Sequence, residues 1–72
     1  MKIQYEVHLP DGKIVKSAVN EVTVDGYVEK QRYILNVLVE DGSFMFPTEG
    51  NEWIFLPRKI INRSVFYMRE IP

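Results

Sequence analysis

The side chains that could carry acid–base or nucleophilic chemistry are few in this sequence. Cysteine is absent, and His8 is the only histidine. A serine nucleophile would need that histidine beside it, together with an acidic group. The adjacent carboxylates Glu40 and Asp41 precede a glycine, which is typical of a turn and not of an acid–base pair. The residue types therefore predict that the protein is not an enzyme and has no catalytic residues.

Ligand sets for a metal or a cofactor are equally scarce. Zinc sites are built from several cysteine and histidine ligands, and one histidine cannot supply them. Each glycine stands alone at a predicted turn, so a glycine-rich phosphate loop is not present. These glycines are Gly12, Gly26, Gly42 and Gly50. We expect no metal and no cofactor.

The cations Arg58, Lys59 and Arg63 form the most concentrated positive charge in the sequence. Together with a nearby aromatic side chain, such a cluster could stack bases and neutralise phosphates of a single-stranded nucleic acid. The alternative is that these cations lie on a solvated turn and pair with neighbouring glutamates. The solvated turn is favoured, because the chain carries a formal net charge of −1 and three cations make a weak phosphate site.

Large apolar residues are concentrated in short runs of the second half of the chain, where both faces of a strand are apolar. A small domain has few fully interior positions, so these residues either fill a curled sheet or form an exposed patch that binds protein. The candidates for a partner-binding surface are the types favoured at interfaces, and they are Phe44, Met45, Trp53, Tyr67 and Met68. Pairing of an edge strand with a second copy would bury such a patch, so we expect a homo-oligomer.

The length of 72 residues predicts a single domain that covers 1–72. A chain of this size buries only about 60% of its unfolded surface, and association with another chain is the supplement that remains without disulfides or metal. No apolar run approaches the roughly 18 residues of a membrane span, and Met1–Glu6 lacks the apolar stretch of a signal peptide. A cytoplasmic location without a membrane partner is expected.

Alternation of apolar and polar residues predicts the first half of the fold. A strand is predicted over 3–9, where this alternation is regular. A second strand follows from Lys13 to Val24, and its alternation changes phase near Asn20, which predicts a bulge or a bend. Asp25-Gly26 lies between β-forming residues, which predicts a two-residue hairpin turn.

The second half is predicted to be strands as well. The apolar run 33–39 predicts a central strand, and further strands are predicted over 44–46, 53–56 and 65–71. A proline ends the strand before 58–63, which leaves room there for a short 3₁₀ or helical turn. The predicted fold class is all-β, a small antiparallel barrel or rolled sheet of five to six strands. The alternative is an α+β domain with a helix within 26–35.

Two features of the sequence resemble the Sm-like and SH3-like small barrels. One is the order of the predicted elements, and the other is the run before the last strand, Phe55-Leu56-Pro57-Arg58-Lys59-Ile60-Ile61. In the bacterial Sm-like RNA chaperone, a basic dipeptide and an apolar residue between the last two strands help to bind uridine in a ring-shaped oligomer. The resemblance implies that Arg58 and Lys59, followed by Ile60, would occupy the corresponding place. The sequence departs from the family by carrying Ala18 in place of a glycine and an extra hairpin over 43–52.

Taken together, the sequence favours a cytoplasmic, non-enzymatic protein-interaction module. It would act as a small regulator, inhibitor or accessory subunit, of the compact kind that phages and mobile elements encode, through the 44–55 hairpin and the last strand. The alternative is an Sm-like protein that binds single-stranded RNA through Arg58, Lys59 and Arg63. The first function needs exposed apolar side chains, and the second needs an exposed basic cluster.

Overall fold

The computed structural model describes residues 1–39 and 43–72, so the turn predicted at 40–42 lies outside the described residues. Strands outnumber helices along the chain. In order, the elements are β1 (Lys2–His8), β2 (Ile14–Lys16), β3 (Asn20–Glu21), α1 (Val24–Val39), β4 (Phe44–Pro47), β5 (Trp53–Leu56), α2 (Arg58–Ile61) and β6 (Val65–Ile71).

β1 is the central strand of the main sheet. It pairs antiparallel with β6 along its whole length, from Lys2 opposite Ile71 to His8 opposite Val65. Its other edge is shared by β2 near its end and by β3 near its beginning. Since successive side chains of a strand point to opposite faces, the odd-numbered residues of β1 form one face. That face is the core side of the sheet, because Ile3, Tyr5 and Val7 are buried.

The second predicted strand is interrupted at Ser17, which is almost completely buried. Its hydroxyl accepts a hydrogen bond from the Tyr5 N–H and donates one to the Ala18 carbonyl, both over 2.9 Å. From here the backbone leaves β1 and joins the β4–β5 hairpin, since the Ala18 N–H donates to the Pro47 carbonyl over 2.9 Å. The interruption of the predicted strand therefore lies at 17–19 and not at Asn20, where β3 pairs with β1 again, and it links the two sheets.

β4 and β5 form a separate two-stranded hairpin, in register from Phe44 opposite Leu56 to Pro47 opposite Trp53. The connection closes with a hydrogen bond of 2.6 Å from the Thr48 N–H to the Glu52 carbonyl. Within this connection Asn51 has a φ of 62°, a left-handed conformation that asparagine tolerates better than most residues. The strands predicted over 44–46 and 53–56 are confirmed.

The predicted all-β fold is found only in part: the described chain is rich in antiparallel strands, but it also contains helix α1. The hairpin turn at Asp25-Gly26 and the central strand over 33–39 are both wrong, because one helix of 16 residues covers this stretch. The helix begins after Thr23, whose hydroxyl accepts a hydrogen bond from the Gly26 N–H over 3.1 Å and caps the first turn. Asp25 lies in that turn, where the helix dipole favours a negative charge.

The core lies between the inner face of β1, the hairpin and the two helices. Its buried residues are Ile3, Tyr5, Val7, Phe44, Phe46, Leu56 and Ile61. Helix α1 adds Tyr27, Ile34 and Leu38, which are partly buried against this cluster and recur at helical spacing. The short helix α2 confirms the helical turn predicted near 58–63, and it places Ile61 in the core. The described strands form two antiparallel sheets and do not close into a barrel.

Candidate protein-binding surface

The outward face of the β4–β5 hairpin carries three large apolar side chains without cover. Met45 lies opposite Phe55, and Trp53 lies opposite Pro47, so these residues share one face of the hairpin. Met45, Trp53 and Phe55 are 53%, 60% and 67% exposed. The neighbouring positions of both strands point inward, because Phe44, Phe46 and Leu56 are buried. We call Met45, Trp53 and Phe55 the hairpin face.

A concavity of about 190 Å³ lies beside the hairpin face, between it and helix α1. Trp53 and Met45 line one side, and Lys30 and Tyr33 of α1 line the other. Lys30 is the single charged side chain among the described residues that line it. The concavity therefore combines aromatic walls with one cation, which suits an apolar side chain accompanied by an acidic group.

The floor of this concavity contains the hydroxyl-bearing side chain of Tyr5. Burial raises the pKa of Tyr5, and the neighbouring Tyr33 raises it further. The phenol therefore stays protonated at neutral pH and retains its hydrogen-bond donor. The Tyr5 ring is held by the aromatic core, 6.2 Å from the Phe44 ring and 6.3 Å from the Phe46 ring.

The residues predicted as a partner-binding surface do not form one patch. Met45 and Trp53 lie on the hairpin face. Phe44 is buried in the core, and Met68 packs against the core from β6. Tyr67 is exposed on the opposite, outer face of the main sheet. Phe55, the most exposed member of the hairpin face, was missed because its run of four apolar residues resembles a strand buried on both sides.

The basic cluster is divided by the structure. Arg58 directs its guanidinium at the end of α1, where Nη1 donates to the Val37 carbonyl and Nη2 to the Leu38 carbonyl. The last turn of α1 has no basic residue of its own, so Arg58 supplies the positive charge that a helix C-terminus favours. Lys59 and Arg63 are exposed. Arg58 is thus occupied in joining α2 to α1, and this position is poorly placed for nucleic acid.

A cluster of polar and aromatic side chains lies on the outer face of the main sheet. Arg69 Nε donates to Glu6 Oε2 across the β1–β6 pair, and His8 Nε2 lies 3.5 Å from the same oxygen. The Tyr67 ring packs against both side chains, with its centroid 4.8 Å from the His8 ring centroid and 4.8 Å from Arg69 Cζ. We call Glu6, His8, Tyr67 and Arg69 the outer-face cluster.

The electrostatics of the outer-face cluster favour the charged form of the Glu6 carboxylate. The hydrogen bond from Arg69 holds the pKa of Glu6 below its usual value, against the opposing effect of burial, and His8 lowers it further. A carboxylate with a lowered pKa and an occupied oxygen is a weak general base. The sequence showed that Glu6 and His8 share a face of β1, but it could not show that β6 would bring Arg69 beside them.

A second open groove, of about 380 Å³, runs between α1 and β6. Its helix side is lined by Gln31, Ile34, Leu35 and Leu38, and its strand side is lined by Phe66, Tyr67 and Met68. The groove follows the outer edge of the main sheet, since no other strand of the described chain pairs with β6. It is separate from the hairpin face.

Within 1–39 and 43–72, histidine, aspartate and glutamate side chains do not gather in groups of three that could hold a metal ion. None of the helices described has the length and apolar character that crossing a membrane requires.

Comparison with known proteins gave no relatives. No family model matches the chain, and neither a curated protein nor a solved structure matches it. The resemblance to Sm-like and SH3-like barrels thus stays a prediction, and the functional interpretation depends on the surfaces described above.

Proposed function

We propose that this protein is a non-enzymatic, cytoplasmic interaction module that binds another protein through the hairpin face. It acts as a small regulator, inhibitor or accessory subunit by occluding or holding that partner. The observation that supports the proposal is the outward row of Met45, Trp53 and Phe55, in which each side chain is more than half exposed. Tryptophan, phenylalanine and methionine are enriched at protein interfaces relative to the rest of the surface.

The hairpin face has the layout of an interface core. The buried row behind it, which includes Phe44 and Phe46, fixes the strands, so the exposed side chains are presented on a rigid support. The concavity next to Trp53 offers a pocket for one anchoring side chain of the partner, and interface energy is concentrated in such pockets. Lys30 adds a preference for a partner segment that carries an acidic group next to its apolar anchor.

The favoured partner is a protein and not RNA. RNA binding would need the basic cluster to face solvent as a unit, and Arg58 is engaged with the Val37 and Leu38 carbonyls. Lys59 and Arg63 alone would neutralise two phosphates at most, which is a weak electrostatic contribution. The hairpin face has no cation in its row, so base stacking there would lack a neighbouring phosphate contact from its own strands.

Photo-crosslinking in the native cell tests this function. A benzophenone amino acid at Phe55 is expected to form a discrete adduct with a protein, and the same group at the exposed Lys13 is the control site. Adding Met45→Ser and Trp53→Ser should reduce the yield at position 55 at least about tenfold, since anchor residues each contribute roughly 2 kcal/mol or more.

Three results would overturn the proposed function. One is the absence of any adduct at position 55. Another is an adduct that nuclease removes and protease does not, which would identify nucleic acid as the partner. The last is the same pattern of adducts from position 13, which would show that crosslinking does not depend on the hairpin face.

A further inference from the structure

We infer that the side of the molecule formed by β6 and α1 binds a second copy of this chain, as a symmetric dimer in which the main sheets join through β6. This surface is distinct from the hairpin face, and the inference deepens the proposed function by naming one of the partners. It depends on the pattern of free backbone groups on β6, on a stripe of uncharged residues along α1, and on the groove between them.

The free backbone groups of β6 follow from the pairing of β1. The N–H of Tyr5 donates to the Ser17 side chain and its carbonyl accepts from the Ser17 N–H, so the odd-numbered residues of β1 direct both groups toward β2 and β3. The even-numbered residues therefore pair with β6, where Glu6 lies opposite Tyr67. The alternate residues of β6 then point their groups outward. These are Phe66, Met68 and Glu70.

Such an edge is self-complementary. If the twofold axis passes through Met68, Phe66 pairs with the partner's Glu70, and Met68 pairs with the partner's Met68. Each of these pairs exchanges two hydrogen bonds, which gives about six in all and leaves none of the three residues unpaired. On the outer face Tyr67 then lies opposite the partner's Arg69. An axis through Arg69 would oppose two arginines, which is unfavourable.

Helix α1 carries a matching stripe on the same side. Val24, Val28, Gln31, Leu35 and Leu38 are separated by steps of four and three residues, the spacing at which one helix packs along another. Val24, Val28 and Leu35 are 69%, 40% and 61% exposed. The far half of the stripe lines the groove next to β6. A twofold axis beside β6 would place the stripes of the two helices opposite each other.

The charges and the area of this surface fit a dimer. The stripe contains no charged residue, and Arg69 is already bonded to Glu6. The remaining charge at the strand edge is that of Glu70, which is exposed near the end of β6. A strand of seven residues is about 23 Å long, and α1 from Val24 to Leu38 is about 22 Å long. The strand and the helix lie in two layers roughly 10 Å apart, and the face that they present together has a projected area of the order of 450 Å². Two such faces would bury on the order of 900 Å² in total, which is the size of a weak, concentration-dependent interface.

Sedimentation equilibrium from about 1 μM to about 1 mM covers the affinities expected of such an interface. The 8.5 kDa chain should approach twice that mass as its concentration rises. Leu35→Glu should raise the dissociation constant at least about a hundredfold, because it buries two unpaired charges. Asn36→Glu, which adds the same charge beside the stripe, is the matched control and should dimerise like the wild type.

A second pair of variants tests the strand edge independently. Glu70→Pro removes only an N–H that faces the edge, so pairing with β1 is retained. It should raise the dissociation constant about tenfold, since the symmetry removes two hydrogen bonds at once. Glu70→Ala retains the N–H and should dimerise normally, and circular dichroism of each variant confirms that it is folded.

A wild type that stays monomeric throughout the concentration range would overturn the inference. A dimer that neither Leu35→Glu nor Glu70→Pro weakens would also overturn it, and so would an open assembly that grows beyond two chains. These failures are distinguishable from failure of the proposed function. A monomer that still crosslinks to another protein at position 55 retains the function and loses only the dimer.

Discussion

Arg58 is the residue whose role changed most between sequence and structure. Its position between two strands and its neighbour Lys59 suggested a phosphate contact, but its guanidinium bonds to the Val37 and Leu38 carbonyls. A charged donor at a helix C-terminus satisfies carbonyls that have no partner within the helix. One side chain therefore connects α2 to α1, although they are separated in sequence by a hairpin.

We predict that Arg58→Ala lowers the free energy of unfolding by about 1–2 kcal/mol, because the charged hydrogen bonds to α1 are lost. Urea unfolding followed by circular dichroism measures this. Lys59→Ala, the adjacent exposed cation, should stay within about 0.5 kcal/mol of the wild type. Equal effects from the two substitutions would contradict the assignment of Arg58 to α1.

The lowered pKa of Glu6 predicts how the stability of the protein depends on pH. Its folded pKa is lowered, chiefly by the hydrogen bond from Arg69, so the folded state binds a proton there less readily than the unfolded state does. The resulting stability is complete above the ordinary glutamate pKa of about 4.3, and it is lost as the pH falls through the lowered folded value. The midpoint of urea unfolding should therefore decrease in this acidic range.

Glu6→Gln should reduce the midpoint at pH 7 and flatten its decline in acid, since the titrating group is removed. Glu29→Gln, an exposed glutamate of α1, is the control and should keep the slope of the wild type. A Glu6→Gln protein whose midpoint falls in acid as steeply as that of the wild type would show that the outer-face cluster does not cause the decline.

Among the elements, α1 shows what the sequence did not reveal. Strands were predicted over 3–9, where apolar and polar residues alternate, and over 53–56 and 65–71, because short apolar runs between turn residues are typical of strands. The run 33–39 looked the same, and Asp25-Gly26 looked like a hairpin turn. Two signals for a helix were present, namely Thr23 as a cap and the recurrence of Tyr27, Ile34 and Leu38 at helical spacing.

The strand-like local pattern outweighed these two helix signals, because a helix with apolar residues around much of its surface has weak hydrophobic periodicity. α1 exposes Val28 and Leu35 while Tyr27 and Ile34 pack against the core. Its apolar residues therefore occupy two faces, and a single window cannot distinguish such a helix from a buried strand. The pairing of β1 with β6, which builds the outer-face cluster, likewise joins opposite ends of the chain and leaves no local signal.

At the level of this helix, we predict that Thr23→Ala lowers the unfolding free energy by about 1 kcal/mol, because the N-cap bond to the Gly26 N–H is lost. Thr23→Ser retains the hydroxyl and is the matched control. Circular dichroism at the helix band during urea unfolding measures both. If the alanine and serine variants unfold at the same urea concentration, the cap does not begin α1.

At the scale of the whole molecule, the small core explains why large apolar side chains stay exposed on two surfaces. The buried residues come mainly from β1 and the hairpin, and the chain has no cysteine to form disulfides. Marginal domains of this size gain stability by association. The hairpin face and the β6–α1 side lie on different elements, so one chain could hold a second copy and another protein at the same time.

Trp53 offers the most direct test of the proposed function, because it is the only tryptophan and lies on the hairpin face. The protein captured by crosslinking at position 55 would be purified in a form without tryptophan and titrated into the wild type. Selective excitation of tryptophan then reports on Trp53 alone. Binding at the hairpin face predicts a shift of the emission to shorter wavelength and protection from acrylamide quenching, as the indole leaves water. A partner that binds, as shown by calorimetry, and leaves both the emission and the quenching of Trp53 unchanged would contradict the account.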